Sequence, residues 1–399
     1  MDEDKTLYEN PMMSEPWENI GKLSKVHNSL FDQTLFLMGY DFSSNIYLIK
    51  GDYCSLIDPG NDYTAFMQML DLGIKPPDIK KIALTHGHHD HAMGAIELVR
   101  GYRGYADQLE VEVLLHEAGP VELKEMLRHL GYKVTELKGG ETINLSGFDF
   151  EVIRTPGHTI DGLCFYHAPT KALFSGDTVL PLAMAEPDEK VAGGSLDHYF
   201  YSVRALLKMD IDHVLPGHGG VAPNIGNWVV QETYDGLIKK KVGLKTPFLQ
   251  GASELAEEGL LEEALFYVNK ALAEEKEEDK LEAHELKALL LNDLGRPKEA
   301  LEAFDQVLAA KPDQAQMILG KGCSLMGLGR YEESLTLFDE VLKSHPQSSE
   351  AQIYKGMSLY LAGRLEEAMD LPAFQHEFAT RLKTELEKLA QEKKSEAGS

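Results

Sequence analysis

The chain has 399 residues, a formal net charge of −26 and an apolar fraction of 43%. That length gives room for two or three domains with buried cores, and no apolar run approaches the ~18 residues of a membrane span. The acidic excess is spread over both halves, which weighs against gripping nucleic acid, because phosphate backbones need Lys and Arg to neutralise them. The start, Met1-Asp2-Glu3-Asp4-Lys5, has neither the basic nor the apolar region of a secretory signal. Cys54, Cys164 and Cys323 are scattered without any Cys-x-x-Cys spacing and read as free thiols, which fits a reducing cytoplasm.

Residues 1–20, with Pro11, Pro16 and mixed charge, read as an irregular leader. From Leu23 to Asp58 the pattern alternates through Leu35–Met38, Asn45–Ile49 and Cys54–Ile57. It predicts antiparallel strands that close on Asp58-Pro59-Gly60. A helix is expected over Asp62–Leu72, and a strand over Lys81–Leu84 just ahead of Thr85. Next come a helix from Met93 to Arg100, a strand from Val111 to His116 and a helix from Val121 to Leu130. The following strands are Glu141–Leu145, Phe148–Arg154, Leu163–His167, Ala172–Ser175 and His213–Leu215, with helices near Leu196–Lys208 and Val229–Lys241. Strands with helices outside them argue for a layered α/β domain over residues 21–244.

Four of those strands run into imidazole or carboxylate groups. They lead to Thr85-His86-Gly87-His88-His89-Asp90-His91, to Pro156-Gly157-His158, to Gly176-Asp177 and to Pro216-Gly217-His218. Gly or Pro after a strand makes a tight turn and lets the backbone approach a ligand closely. Imidazole nitrogen and carboxylate oxygen bind divalent metals such as zinc at about 2.0–2.2 Å, and seven such groups suffice for two adjacent ions. Thr85 and Thr159 stand beside these groups and could orient the imidazoles by hydrogen bonds. His116 ends a strand, where a place in the pocket is open to it.

His86-x-His88-x-Asp90-His91, Gly157-His158-Thr159, Gly176-Asp177-Thr178 and Pro216-Gly217-His218-Gly219 resemble the full binuclear signature of the metallo-β-lactamase superfamily, over roughly residues 20–240. The resemblance implies an αββα sandwich. It implies one metal on His86, His88 and His158, a second on Asp90, His91 and His218, and Asp177 bridging both. It also implies a metal-bound hydroxide as nucleophile, with Asp90 and Asp177 the catalytic carboxylates. Zinc is the default metal; iron and manganese accept the same donors. Within the superfamily, thioesterases of the glyoxalase II type and lactonases use this ligand set, so a thioester or another carboxylic ester or lactone is the expected small-molecule substrate. A metal-dependent phosphodiesterase or ribonuclease is the alternative. The segment Gly219-Gly220-Val221-Ala222-Pro223-Asn224 departs from the basic helical pair that holds glutathione in some relatives.

Leu180–Gly194, directly after Asp177, is too rich in Pro and Gly for one regular element. Its apolar start, Leu180, Leu182 and Met184, suggests a lid that lines an acyl-binding pocket; a mobile surface loop is the alternative.

Near residue 245 strand signals stop. Gly295, Gly329 and Gly363 recur 34 residues apart, each followed by Arg, and Pro312 and Pro346, Gly322 and Gly356, and Phe304 and Phe338 keep the same period. Paired helices at that period resemble tetratricopeptide repeats, here over about 247–371, beginning with a degenerate repeat marked by Ala252, Gly259 and Ala264. An all-α repeat domain is thus expected over residues 247–385, with Pro372 stopping the last repeat early and residues 386–399 forming a disordered tail. The resemblance implies a protein or peptide partner, or self-association. A scaffold of repeats on a vestigial metal domain is the non-enzymatic alternative.

Overall fold

Large apolar residues on both sides of each early strand require cover on both faces. Leu35, Leu37, Ile46, Leu48 and Leu56 pack in one core with Phe66 and Met69, Ile96 and Leu123. Their sequence neighbours Phe36, Tyr47, Ile49 and Ile57 pack in another with Phe150, Phe165, Phe174 and Leu215. Side chains alternate across a strand with period two, so one sheet must lie between helices on one face and a second sheet on the other.

The structure, a computed structural model, describes residues 17–40, 42–101, 110–190, 192–274 and 277–381. One compact unit runs to Lys241 and a second begins at Val242. In the first, β1 (Glu18–Asn19), β2 (Thr34–Leu37), β3 (Ile46–Lys50), β4 (Cys54–Ile57), β5 (Ile79–Ala83), β6 (Glu112–His116) and β7 (Lys133–Leu137) form a sheet in that order. Pairing is antiparallel as far as β4 and parallel from there on. The second sheet has the order β12-β11-β10-β9-β8, from β8 (Thr142–Leu145), β9 (Phe148–Arg154), β10 (Leu163–His167), β11 (Ala172–Gly176) and β12 (His213–Pro216). Only β11 and β12 are parallel neighbours there.

Helices α1 (Ile20–Ser24), α2 (Ser29–Gln33), α3 (Tyr63–Asp71), α4 (His89–Gly101), α5 (Val121–His129), α6 (Leu196–Leu206) and α7 (Gly226–Val242) complete the αββα sandwich. The strand directions position the site. β4, β5 and β6 end at one edge, and β9, β11 and β12 all point the same way because two antiparallel steps separate β9 from β11.

Three local expectations change. The end of the leader is regular, since Glu18 and Asn19 pair with Phe36 and Leu35 and Asn19 caps α1 through Lys22 N; residues 1–16 lie outside the described residues. A strand unmarked in the sequence reading, β7, is polar at Lys133 and Glu136, as a sheet edge tolerates. Helix α4 starts four residues before Met93, because His88 O already accepts the N–H groups of His91 and Ala92 at 3.1 and 3.0 Å.

The second unit is a run of helical hairpins: α8 (Phe248–Glu257), α9 (Leu261–Glu274), α10 (Glu277–Asp293), α11 (Pro297–Ala310), α12 (Ala315–Gly327), α13 (Tyr331–Ser344), α14 (Ser349–Leu361) and α15 (Leu365–Met369). The 34-residue glycines are the turns. Gly295, Gly329 and Gly363 have φ of 68°, 75° and 80°. The N–H of the next Arg reaches back to Leu291, Leu325 and Leu359 at 2.9, 2.9 and 2.8 Å, which closes each helix with a left-handed C-cap. A β-carbon at Gly322 or Gly356 would run into Phe338 or Phe374, so these positions set how closely the helices pack. Past the short α15, residues 372–381 form a fresh helix with Pro372 in its first turn. The tail at 386–399 lies outside the described residues. No described helix is long and apolar enough to cross a membrane.

Candidate metal centre

The four motifs meet at the edge where β5, β9, β11 and β12 end. After β5, Thr85 N and Oγ1 donate to the two carboxylate oxygens of Asp58 at 2.8 and 2.7 Å, tying the ends of β4 and β5 together. The chain turns at Gly87, whose N–H donates to Asp161 Oδ2 at 2.9 Å, and enters α4 with Asp90 and His91 in its first turn. From the second sheet come His158 after β9, Asp177 after β11 and His218 after β12. Asn45 Nδ2 donates to Pro216 O and Gly219 O at 2.9 and 2.8 Å, and the Tyr47 hydroxyl to Pro216 O at 2.8 Å. These bonds hold the turn that carries His218. A β-carbon at Gly217 would strike Asp177 Oδ1 and the His91 ring, so only glycine lets this turn lie against them.

All seven residues singled out in the sequence come together. Their nitrogen and oxygen atoms form three overlapping groups: His86, His88 and His158; His86, His91 and Asp177; and Asp90, His91 and His218. His88 Nδ1 lies 3.0 Å from His86 Nε2 and 3.1 Å from His158 Nε2. Asp177 Oδ2 lies 3.6 Å from both His158 Nε2 and His218 Nε2, and Asp90 Oδ2 lies 3.1 Å from His218 Nε2.

The far sides of three imidazoles decide which nitrogens are bare. His88 Nε2 faces Asp188 Oδ2 at 3.2 Å, His158 Nδ1 faces Glu186 O at 2.6 Å and His91 Nδ1 faces Asp58 Oδ2 at 2.8 Å. Each of these acceptors fixes the proton on the outer nitrogen. His88 Nδ1 and His158 Nε2 then confront each other with lone pairs only, which is unfavourable unless a cation lies among them. His91 Nε2 and Asp177 Oδ1, 3.4 Å apart, are buried without a hydrogen-bond partner. Unpaired buried polar atoms of this kind are costly. Imidazole and carboxylate donors in this arrangement fit a pair of divalent metals.

Electrostatics follow the burial. Burial and the neighbouring His91 push the His86 imidazole well below its ordinary range, and burial also lowers His158. Burial alone would raise the Asp177 carboxyl, but His91, His86 and His218 hold it far below the carboxylate range. The hydrogen bond to Asp90 raises His218.

Residues unmarked in the sequence reading complete the site. Asp58 was visible only as part of a turn; its place behind β4, matching Thr85 behind β5, was the available signal. The Tyr199 hydroxyl donates to Asp177 O at 2.8 Å, and Asp188 and Asp161 act through loops whose paths no local pattern discloses. Thr85 Oγ1 lies 3.2 Å from His86 Nδ1, whereas the buried Thr159 hydroxyl has no partner. His116 is buried outside the three groups, accepting the Ala118 N–H at Nδ1. The expected acyl pocket over Leu182 and Met184 is a correction: Leu182 is fully exposed. The cavity beside the site is walled instead by α4, α5 and Ile160 and, from the end of the expected lid segment, by Ala192 and Gly193.

Comparison with known proteins agrees with this geometry. The model of the metallo-beta-lactamase superfamily matches residues 39–218, and that of the tetratricopeptide repeat matches 249–315 and 319–371. A probable metallo-hydrolase of Methanocaldococcus jannaschii is 32% identical over 201 residues, 47% of this chain and 93% of that protein. A hydroxyacylglutathione hydrolase of Serratia proteamaculans is 32% identical over 158 residues, 39% of this chain and 53% of that protein. An atrochrysone carboxyl ACP thioesterase of Paecilomyces divaricatus is 24% identical over 192 residues, 47% of this chain and 54% of that protein. The chain thus spans about half the length of the last two relatives. With the two-sheet sandwich, the converging imidazoles and carboxylates and a near full-length relative in agreement, the chain belongs to the metallo-β-lactamase superfamily, with tetratricopeptide repeats following in the same chain.

Proposed function

We propose that this chain is a binuclear metal-dependent hydrolase that cleaves a thioester or another carboxylic ester or lactone. One observation carries the reading: donor atoms of seven residues converge in three overlapping groups, with His91 Nε2 and Asp177 Oδ1 buried and unpartnered among them. His86, His88 and His158 would hold one metal and Asp90, His91 and His218 the other, with Asp177 shared between them. Zinc is the first choice, and iron and manganese accept the same donors. When bound, such a pair supplies Lewis acidity and lowers the pKa of a shared water toward neutrality.

The chain's own residues do the positioning. Asp58, Glu186 O and Asp188 fix the outer nitrogens of His91, His158 and His88, so that the inner nitrogens are presented together. Asp90 and Asp177 are the catalytic carboxylates, bringing negative charge among five imidazoles. The carbonyl substrate class draws support from the hydroxyacylglutathione hydrolase and the thioesterase among the relatives. The repeats serve a protein or peptide partner, or a second copy of the chain. Three free thiols fit a reducing cytoplasm.

Metal analysis of the full chain, joined to a panel of thioesters, lactones, phosphodiesters and single-stranded RNA, tests the reading. Two metals per chain and preferential turnover of a thioester, ester or lactone are expected. Asp177→Ala should lose bound metal and reduce turnover by several orders of magnitude. Full metal content with near-normal turnover in that variant rules the assignment out, and preferential turnover of a phosphodiester or RNA moves the chain to the nuclease class.

A further inference from the structure

A cavity of about 710 Å³ opens beside the metal centre, and His88 and Asp90 form part of its wall. The rest of the wall is largely apolar: Met93 and Ile96 from α4, Pro120, Leu123 and Met126 from the start of α5, and Ile160. We infer that this cavity takes the acyl chain of the substrate, an uncharged aliphatic or branched chain, while the leaving group remains outside. The inference rests on the hydrolase reading above and narrows its substrate class.

The cavity is built into the fold. Its floor is the Gly87 turn, where a β-carbon would collide with the Pro120 ring, so α5 and the ligand loop are in direct contact. Asp161 holds that turn through Gly87 N–H at 2.9 Å. Ile160 N donates to Ala192 O at 2.8 Å, which pins the loop after Asp177 as the opposite wall. The volume falls within the ~300–1,000 Å³ of pockets that enclose small ligands.

Charge selects between the two halves of a thioester. Apart from His88 and Asp90, the ionisable side chains on the wall are His89, Glu122 and Asp161, and among the described residues no Lys or Arg lines it. Away from the metals, a phosphate or carboxylate would enter against the Glu122 and Asp161 carboxylates, with no Lys or Arg among the described residues to receive it. The leaving groups of biological thioesters carry such groups, whereas an aliphatic acyl chain carries none and gains free energy from burial. With the chain in the cavity, the carbonyl carbon lies by His88 and Asp90. Water oxygen bonds to that carbon, the carbon–sulfur bond breaks, and the thiol leaves with a proton as the carboxylic acid forms.

The test is a series of straight-chain thioesters from acetyl to octanoyl on one small neutral thiol, with full-length metal-loaded enzyme. Burial of each methylene should raise kcat/KM about fourfold until the cavity is full. Met126→Asp, at a half-exposed wall position, should cut octanoyl kcat/KM by about tenfold or more and acetyl kcat/KM by a much smaller factor. Leu182→Ser, at a fully exposed position, should alter neither. Calorimetry with octanamide on the metal-stripped chain gives a second readout: the wild type should bind it more tightly than octanoate, and Met126→Asp should lose it. A flat series from an active enzyme, with no octanamide binding, overturns the acyl assignment and leaves the hydrolase reading intact. Failure to hydrolyse any thioester or ester overturns the hydrolase reading, and the acyl assignment falls with it.

Discussion

His88 Nε2 meets Asp188 Oδ2 at 3.2 Å, and Asp188 belongs to the loop that also supplies Glu186 O to His158 Nδ1. Two of the three imidazoles assigned to one metal are therefore steered by a single irregular segment. The segment is itself anchored: Asp188 N donates to His158 O at 2.8 Å, and Glu186 pairs with Lys240 of α7. The middle of the segment that the sequence suggested as a lid is a strap behind the ligands, and its end, at Ala192 and Gly193, lines the cavity.

Removing the Asp188 carboxylate should leave His88 free to change tautomer and rotate. Asp188→Ala is expected to weaken metal binding roughly ten- to a hundredfold, the usual effect of losing a group that orients a ligand. Asp188→Asn keeps an oxygen that accepts the Nε2–H and should recover most of the loss. Competition with a coloured chelator measures the affinity, and the thermal midpoint of the metal-free chain reports on folding. Equal affinities for wild type and Asp188→Ala would show that the strap does not orient His88.

His91 gives the metal centre a pH dependence with a definite sign. Burial alone would lower its pKa, but Asp177 and Asp58, on either side, hold it well above the ordinary histidine range. A raised pKa favours a proton on His91 in the metal-free chain, whereas Nε2 must be bare before it can bind a metal. Affinity should therefore rise with pH, and mild acid should release the metal. Titrating zinc into the metal-free chain near neutral pH, in buffers of different ionisation enthalpy, measures the proton released. No release, with affinity flat between about pH 6 and 8, would contradict this account.

Residues that act at strand ends were legible in the sequence; those that act through loops were not. His86, His158, Asp177 and His218 stand behind apolar strands, and strand period and turn residues are local signals that survive in a sequence. The helical repeats were legible for the same reason, since a left-handed glycine returns every 34 residues at the turn inside a hairpin, at Gly295, Gly329 and Gly363. Asp188 and Asp161 reach the site across long sequence separations, 100 residues to His88 and 74 to Gly87. Leu182 misled because an apolar residue in a Pro/Gly-rich loop looks like a pocket wall. Its positive φ of 62° belongs to a tight turn that carries the side chain outward instead. β7 was missed because an edge strand can be short and polar, leaving little hydrophobic pattern to read.

The division of the chain leads to the last prediction. Every residue assigned to the metals precedes residue 219, α7 ends at Val242, and the helical hairpins begin with α8 at Phe248. A chain ended near Lys245 should fold, bind metal and hydrolyse small substrates. The stretch from 247 to 399 should fold alone as helix, because repeat arrays are stabilised mainly by contacts between neighbouring repeats. Its hairpins bury apolar clusters of their own, with Phe304 and Phe338 fully enclosed. Light scattering on the full chain and on both fragments separates self-association through the repeats from binding of another protein: a dimer that persists in the repeat fragment identifies the first. A fragment ending near Lys245 that is soluble and metal-loaded, yet inactive on the full chain's best small substrate, would mean that the repeats help to form the active site, and the proposed division of labour would be wrong.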